Sequence, residues 1–439
     1  MEILDSGLWF YILIVGSFLL IHIFLRKRAA YKSAAIQQES IEAGLTEPAS
    51  LHPVVDFNLC QGSGACVSAC PEAKGGHKII GMIKDKAYLV DPSSCIGHGA
   101  CAVACPFDAI SLVFGSATRG VELPAVNSNF ETNVPGVYIA GELGGMGLIR
   151  NAITQGKQAV ESIASKKQAN SSNKLDLLIV GAGPAGFSAS LAAKQHKLNY
   201  LTIEQESLGG TVFKFPRGKL VMTAPVDLPL IGKVNMREIS KEGLLEFWTE
   251  TAKEHKPNIN YKEKIEKVIP GVDGIDVITD KSTYRADAIL LAIGRRGTPR
   301  ALGVPGEEQS KVIYQMVDPE QYQNKHVLVV GGGDSALEAA HSIAAVPGTT
   351  VSLSYRSGAF SRAKGKNRKK IDQAVEDGRI SLFLNSQVKS FSKNAAIISL
   401  KETEREIKND AAIVCVGGIL PTGFLKEVGI QIDTKFGTL

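Results

Sequence analysis

Six cysteines of this chain fall in two runs of one pattern. Cys60-Gln-Gly-Ser-Gly-Ala-Cys66-Val-Ser-Ala-Cys70-Pro71 returns as Cys95-Ile-Gly-His-Gly-Ala-Cys101-Ala-Val-Ala-Cys105-Pro106. Thiolates bunched this closely point to metal ligation rather than to a disulfide framework, which a chain of 439 residues does not need. Ser63 and His98 occupy equivalent places in the two runs, where another ligand would fall. Cys95, His98, Cys101 and Cys105 form a conceivable zinc set, but the first run offers three thiols and a serine, a poor one. Cys415, the remaining cysteine, lies in the apolar run Ala411-Ala-Ile-Val-Cys-Val416 and reads as an inert buried thiol.

The two runs resemble the bacterial two-cluster ferredoxins, C-x2-C-x2-C-x3-C-P, with the second cysteine replaced in both copies. In that family the cysteine before proline ligates the other cluster. The resemblance therefore implies one iron–sulfur cluster on Cys60, Cys66 and Cys105 with Ser63 at its corner. The other takes Cys95, Cys101 and Cys70 with His98 at its corner. A 3Fe-4S cluster, a 4Fe-4S cluster ligated by serine or histidine, and a corner closed by solvent are all open at these positions. Imidazole in place of thiolate raises the potential of Rieske centres, so a ligating His98 would tune its cluster upward.

Two glycine turns must position a second kind of chemistry. Leu175–Val180 reads as a buried parallel strand, Gly181-Ala-Gly183-Pro-Ala-Gly186 as the turn, and an Ala-rich helix runs on to about His196. The next strand, Tyr200–Ile203, ends at Glu204. Such a turn lets backbone approach a pyrophosphate at a helix N-terminus, and the acid takes a ribose hydroxyl. The arrangement recurs as the strand His326–Val330, the turn Gly331-Gly-Gly333-Asp334-Ser335-Ala336 and a helix from Ala336 to Ala345. Here the following strand, Val351–Ser354, ends in Tyr355-Arg356, and Arg362, Lys364, Lys366 and Arg368 follow. Cations in place of the acid suit a 2′-phosphate and favour NADP over NAD.

Three further segments make the resemblance specific. Leu291-Ala-Ile-Gly-Arg-Arg-Gly-Thr-Pro299, Cys415-Val-Gly-Gly-Ile-Leu-Pro-Thr422 and Phe130-Glu-Thr-Asn-Val-Pro-Gly-Val-Tyr-Ile-Ala-Gly141-Glu142 resemble segments of the thioredoxin-reductase-like flavoproteins. The last resembles their closing FAD motif, with Glu142 where most relatives carry Asp. It implies FAD as cofactor and the ribityl chain as the partner of Glu142. In the family this motif comes last; here it precedes the first dinucleotide strand, as expected of a circular permutation across the polar linker 165–174. The expected fold class is α/β, with two Rossmann-like FAD and NAD(P) domains, the FAD domain permuted. A small α+β ferredoxin-like domain and an N-terminal transmembrane helix complete it. The expected boundaries are an anchor over 1–28, a polar helix and spacer over 29–50, and the iron–sulfur domain over 51–112. The permuted closing segment spans 113–165, the FAD domain 174–300, the NAD(P) domain 301–410, and the return to the FAD domain 411–439.

Leu8 to Leu25 carries no Asp, Glu, Lys or Arg and would reach about 27 Å as a helix, close to the hydrocarbon thickness of a bilayer. Glu2 and Asp5 precede it, unlike a secretory signal, and Arg26-Lys27-Arg28 follow it. The charge bias predicts a single-pass inner-membrane protein with the bulk of the chain cytoplasmic. A net charge of +5 does not suggest a nucleic-acid partner.

Thioredoxin reductases carry a C-x-x-C ahead of the second glycine turn, where this chain has Ile313–Tyr322 without cysteine. Low-molecular-weight disulfide reductases place a cysteine where this chain has Ala185. The resemblance then implies a flavin/iron–sulfur oxidoreductase that passes electrons between NAD(P)H, FAD and two clusters to a quinone, a cytochrome or a soluble carrier. No catalytic side chain is needed. Arg150 reads equally as a neighbour of the flavin or an ordinary helix arginine. A disulfide reductase and a redox sensor without turnover are the alternatives, and homodimers are usual among such flavoproteins.

Overall fold

The computed structural model describes residues 2–42, 45–46, 48, 51–75, 78–116, 120–145, 147–166, 174–222, 225–236, 239–295, 297–361, 363–400 and 403–437. The chain forms two compact units. One comprises 1–120 with 359–368 and 436–439; the other comprises 121–358 with 369–435.

In the first unit, a single helix, Glu2–Glu42, replaces the expected anchor followed by a separate polar helix. Neither proline nor glycine interrupts it after Gly16, so nothing in the backbone ends the helix at the charge cluster Arg26–Arg28. Its apolar stretch is exposed, with Phe10, Tyr11, Phe18, Leu20 and Phe24 each more than 60% accessible. Beyond Leu25 the same helix packs on the hairpin Ile80–Ile83 and Lys86–Leu89. Arg26 pairs with Asp85 at 2.8 Å, the Ser33 side chain lies against Gly81, and Ser40 Oγ donates to Val90 O at 3.0 Å. Lys78 Nζ reaches back to Ala29 O at 3.1 Å. The strand pair His52–Val55 and Ile110–Val113 and the short helices Ala65–Ala69 and Ala100–Val103 complete a small core. That core is built from Cys60, Cys66, Ile79, Ile80, Ala87, Cys101, Ala109 and Ile110.

In the second unit, Leu175–Val180 is the buried strand expected, flanked in parallel by Tyr200–Glu204 and by Thr283–Leu291. Ile259–Tyr261 extends the sheet beyond Tyr200–Glu204. The far edge of Thr283–Leu291 is shared. Its first half pairs antiparallel with Gly274–Thr279, and its last three residues pair in parallel with Val137–Ile139, which comes from before the linker. Val121–Pro124 likewise pairs antiparallel with Ile432–Lys435, at the other end of the chain. The helix Ile149–Lys166 packs on Pro184–Gln195, and Gly156 permits the approach, because a Cβ there would collide with Ala185 O. A parallel sheet in the order Val312–Ile313, Ala411–Val414, His326–Val330, Thr350–Tyr355, Ile380–Leu384 carries the second glycine turn. Its helix spans Asp334–Ala344, starting two residues earlier than the spacing suggests, since Asp334 is itself a favourable first-turn residue.

Candidate functional site

The two cysteine runs fold alike. Gly64 and Gly99 precede their short helices at φ 73° and 81°, and Gly62 and Gly97 stand at φ 72° and 71°. The latter two are also close approaches: a Cβ at Gly62 would collide with Asp85 O, and one at Gly97 with Leu51 O. Only glycine meets both demands. These glycines stand at the same places in both runs, so the repeat itself carries their signal.

Each run opens a cavity, and the cysteines before proline change sides. One cavity, of about 290 Å³ including its mouth, is lined by Cys60, Ser63, Cys66 and Cys105 with Met82 and Phe107. The other, of about 370 Å³, is lined by Cys95, His98, Cys101 and Cys70 with Ile79 and Ile80. Ser63 Oγ and His98 Nδ1 occupy the same niche, each a distant acceptor for the backbone N–H two residues on, at 3.5 and 3.4 Å. Among the described residues, no three metal-binding side chains converge on one point as a single zinc ion requires. Burial pushes the thiols of Cys66 and Cys95 up to about 11, with neighbouring thiols adding to the rise, and Cys101 moves the same way. Such sulfurs need a cationic partner to be held as thiolates. A multi-iron cluster therefore fits the donor set, the spacing and the electrostatics. Lys86, which the sequence did not single out, braces the first cavity by donating to Cys60 O at 2.6 Å and Phe57 O at 2.9 Å.

The first glycine turn meets each requirement of a pyrophosphate cradle. Gly181 turns at φ 101°, a Cβ at Gly186 would collide with Gly181 O, and a Cβ at Gly183 would meet nothing closer than 4.0 Å. The last of these leaves backbone open to a ligand at the start of the helix Pro184–Gln195. Glu204, 4% accessible, accepts from Ala182 N at 2.7 Å and Glu206 N at 2.8 Å. Burial raises its pKa, and those two donors oppose the rise. Each oxygen keeps a lone pair for a hydroxyl.

Gly141 reaches this turn from the segment ahead of the linker. A Cβ on Gly141 would lie 3.0 Å from the Ala185 Cβ, and its N–H donates to Gln155 Oε1 at 2.8 Å. Glu142 follows, half-buried, and Gln155 is a positioning residue that no sequence pattern marked. Arg150 is exposed on the first turn of its helix.

The second turn repeats the cradle with a difference. Gly331 turns at φ 141° against Cys415 O, Gly333 is open, and the ring of Tyr355 covers Gly332. Asp334 is half-buried, while Ser335 and Arg356 are exposed; Arg362 lies outside the described residues. Cys415 is half-buried rather than buried, because it stands one residue past the strand Ala411–Val414, where the chain leaves the core.

Comparison with known proteins agrees with this geometry. Residues 52–106 match the 4Fe-4S dicluster domain, and 178–438 match the family described as pyridine nucleotide-disulphide oxidoreductase. The chain is 30% identical over 268 residues to a ferredoxin–NADP reductase of Ignicoccus hospitalis, covering 59% of this chain and 83% of that one. It is 28% identical over 267 residues to the bacilliredoxin reductase Bdr of Bacillus subtilis, covering 59% and 82%. Among solved structures it is similar to a bacillithiol disulfide reductase from Bacillus cereus. There the TM-score is 0.54 and the identity 25%, over 60% of this chain and 83% of that one. Open backbone at both glycine turns and matches over both segments lead to one assignment: the chain belongs to the pyridine nucleotide-disulphide oxidoreductase family, as an NAD(P)H-dependent flavin oxidoreductase that also carries a 4Fe-4S dicluster domain.

Proposed function

We propose that this chain is a membrane-anchored oxidoreductase that passes electrons from NAD(P)H through FAD and two iron–sulfur clusters to an acceptor. The observation that carries the reading is the exchange of Cys70 and Cys105 between the two cavities. In this reading Cys60, Cys66, Cys105 and Ser63 hold one cluster, and Cys95, Cys101, Cys70 and His98 hold the other. Gly181, Gly183, Gly186 and Glu204, with Gly141 and Glu142, hold FAD. Gly331, Gly333, Asp334 and Ser335 hold the nicotinamide dinucleotide, and Arg356 and Arg362 select NADP. FAD held by these residues would supply the exchange between the hydride chemistry of nicotinamide and the one-electron chemistry of iron–sulfur clusters. The protein's own part is to bind, space and tune; its residues supply no acid, base or nucleophile.

The FAD domain is a circular permutation of the family order. Supporting this, the family match begins at residue 178, yet Val137–Ile139 and the helix Ile149–Lys166 complete the sheet and glycine turn that it contains. The helix Glu2–Glu42 is the anchor: it has one window of mean hydropathy 1.8, and its accessible apolar residues have no protein cover. A disulfide-reductase role, as the names of some relatives suggest, lacks its thiols at Ala185 and between 313 and 322.

Anaerobic addition of NADPH to detergent-purified protein tests the reading. Flavin bleaching together with new low-temperature paramagnetic signals is expected, and NADPH should act at lower concentration than NADH. Zinc in place of iron and sulfide on analysis would overturn it.

A further inference from the structure

We infer that the Ser63 cavity is the membrane-facing cluster site and that it delivers electrons to a quinone dissolved in the lipid. The inference rests on the proposed anchor and cluster readings and adds the direction and the partner class. Its basis is the way the helix Glu2–Glu42 lies along the hairpin Ile80–Ile83 and Lys86–Leu89. Arg26, one residue beyond the apolar stretch, meets Asp85 at the hairpin turn; Ser33 meets Gly81; Ser40 meets Val90. From Arg26 to Ser40 the helix climbs about 21 Å, so the hairpin turn lies at the membrane end and its open end points away.

The two cavities sit at different heights on this ruler. The Ser63 cavity is lined by Met82 and Ala87, a cross-strand pair near the turn, and Gly62 of its loop packs on Asp85 O. The His98 cavity is lined by Ile79 and Ile80 at the open end. Two to three residues of strand separate them along the hairpin, roughly 7–10 Å.

A second observation concerns the rims. Phe107 lines the Ser63 cavity and is 45% accessible, Leu59 precedes Cys60 at 49%, and Phe57, whose carbonyl shares Lys86 with that of Cys60, is at 45%. Ser63 itself is exposed. Among the described residues, no large apolar side chain lining the His98 cavity is comparably exposed; Val103, on the short helix that carries Cys101, is 91% accessible but does not line it. Exposed apolar side chains around a redox site at the level of Arg26 suit a ligand arriving from lipid rather than water. The balance is that of a two-electron couple. NADPH gives up two electrons and one proton to become NADP⁺, while the quinone takes those two electrons, one at a time, with that proton and one more from water to become the quinol.

The test uses full-length holoprotein in lipid vesicles. Ser63→Cys and His98→Cys, or Ser63→Ala and His98→Ala should the cysteine variants fail to assemble, mark which paramagnetic signal belongs to which site. A gadolinium chelate carried on a lipid headgroup should then shorten the relaxation time of the Ser63-site signal at least twofold more than that of the His98-site signal. The same chelate free in water should show no such preference. Rapid freezing after a long-chain quinone is supplied in the lipid should find the Ser63-site signal reoxidised first. An equal or opposite response to the lipid-borne chelate overturns the order of the sites. Reoxidation only by a water-soluble carrier or only after addition of a membrane protein overturns the quinone. Protein that does not pellet with the vesicles overturns the anchor itself, a failure distinct from the other two.

Discussion

Ser63 and His98 occupy one niche in two copies of the same loop, yet they offer iron different atoms. A neutral imidazole leaves its cluster less negatively charged than a thiolate would, so His98→Cys should lower the potential of that site by roughly 0.1 V or more, read by redox titration of its paramagnetic signal. An unchanged potential would remove His98 from the ligand set. The glycines of the first turn separate binding from folding just as sharply. At Gly183 φ is −73° and a Cβ has room, so Gly183→Ala should keep the fold but intrude on the cofactor. A loss of about tenfold in FAD affinity, about 1.4 kcal/mol, is expected by flavin titration. At Gly186 a Cβ strikes the Gly181 carbonyl, so Gly186→Ala should cost roughly 3 kcal/mol of stability in denaturant melts.

At the scale of elements, the segment ahead of the linker joins the flavin-domain sheet by backbone pairing and is braced within itself by an ion pair. Glu131 accepts from Lys166 Nζ at 2.7 Å and from Gly136 N at 3.0 Å, joining the strand Val137–Ile139 to the end of the helix Ile149–Lys166. Burial pushes the Glu131 carboxyl up, but Lys166 and the Gly136 N–H outweigh it and hold its pKa below the ordinary 4.5. A lowered carboxyl pKa contributes stability that is fully present above the unfolded value and is lost as pH falls through the folded one. Glu131→Gln should therefore reduce stability by about 1 kcal/mol at neutral pH and flatten the decline below pH 4.5, seen in melting curves taken across that range. An identical acid slope in the variant would show that the pair contributes nothing.

For the whole molecule, the ladder between Val121–Pro124 and Ile432–Lys435 matters most. Lys435 stands opposite Val121, as two strands do on either side of a hairpin turn. A rearranged chain in which Lys435 runs through a short turn into Val121, with 121–166 moved to the C-terminus, should bind FAD and melt within a few degrees of the natural order. Loss of flavin in that chain would argue that the natural order is required by the fold and is not a permutation of it.

Much of the site was legible because its determinants are local. The strands Leu175–Val180 and Tyr200–Glu204 each depend on residues within one or two elements, and each stands where the pattern put it. The positioning residues were not legible. Gln155 supports Gly141 from the next helix, and Tyr355 covers Gly332 from the next strand, contacts with no periodicity to announce them. Sequence by itself determined which chemistry the side chains can perform, because ligand type and turn chemistry are properties of short stretches. Tertiary structure alone decided that Asp85 meets Arg26. It also decided that Val137–Ile139 closes onto Thr283–Leu291. Those outcomes depend on strand register and helix packing between distant residues, which the order of side chains along the chain does not display.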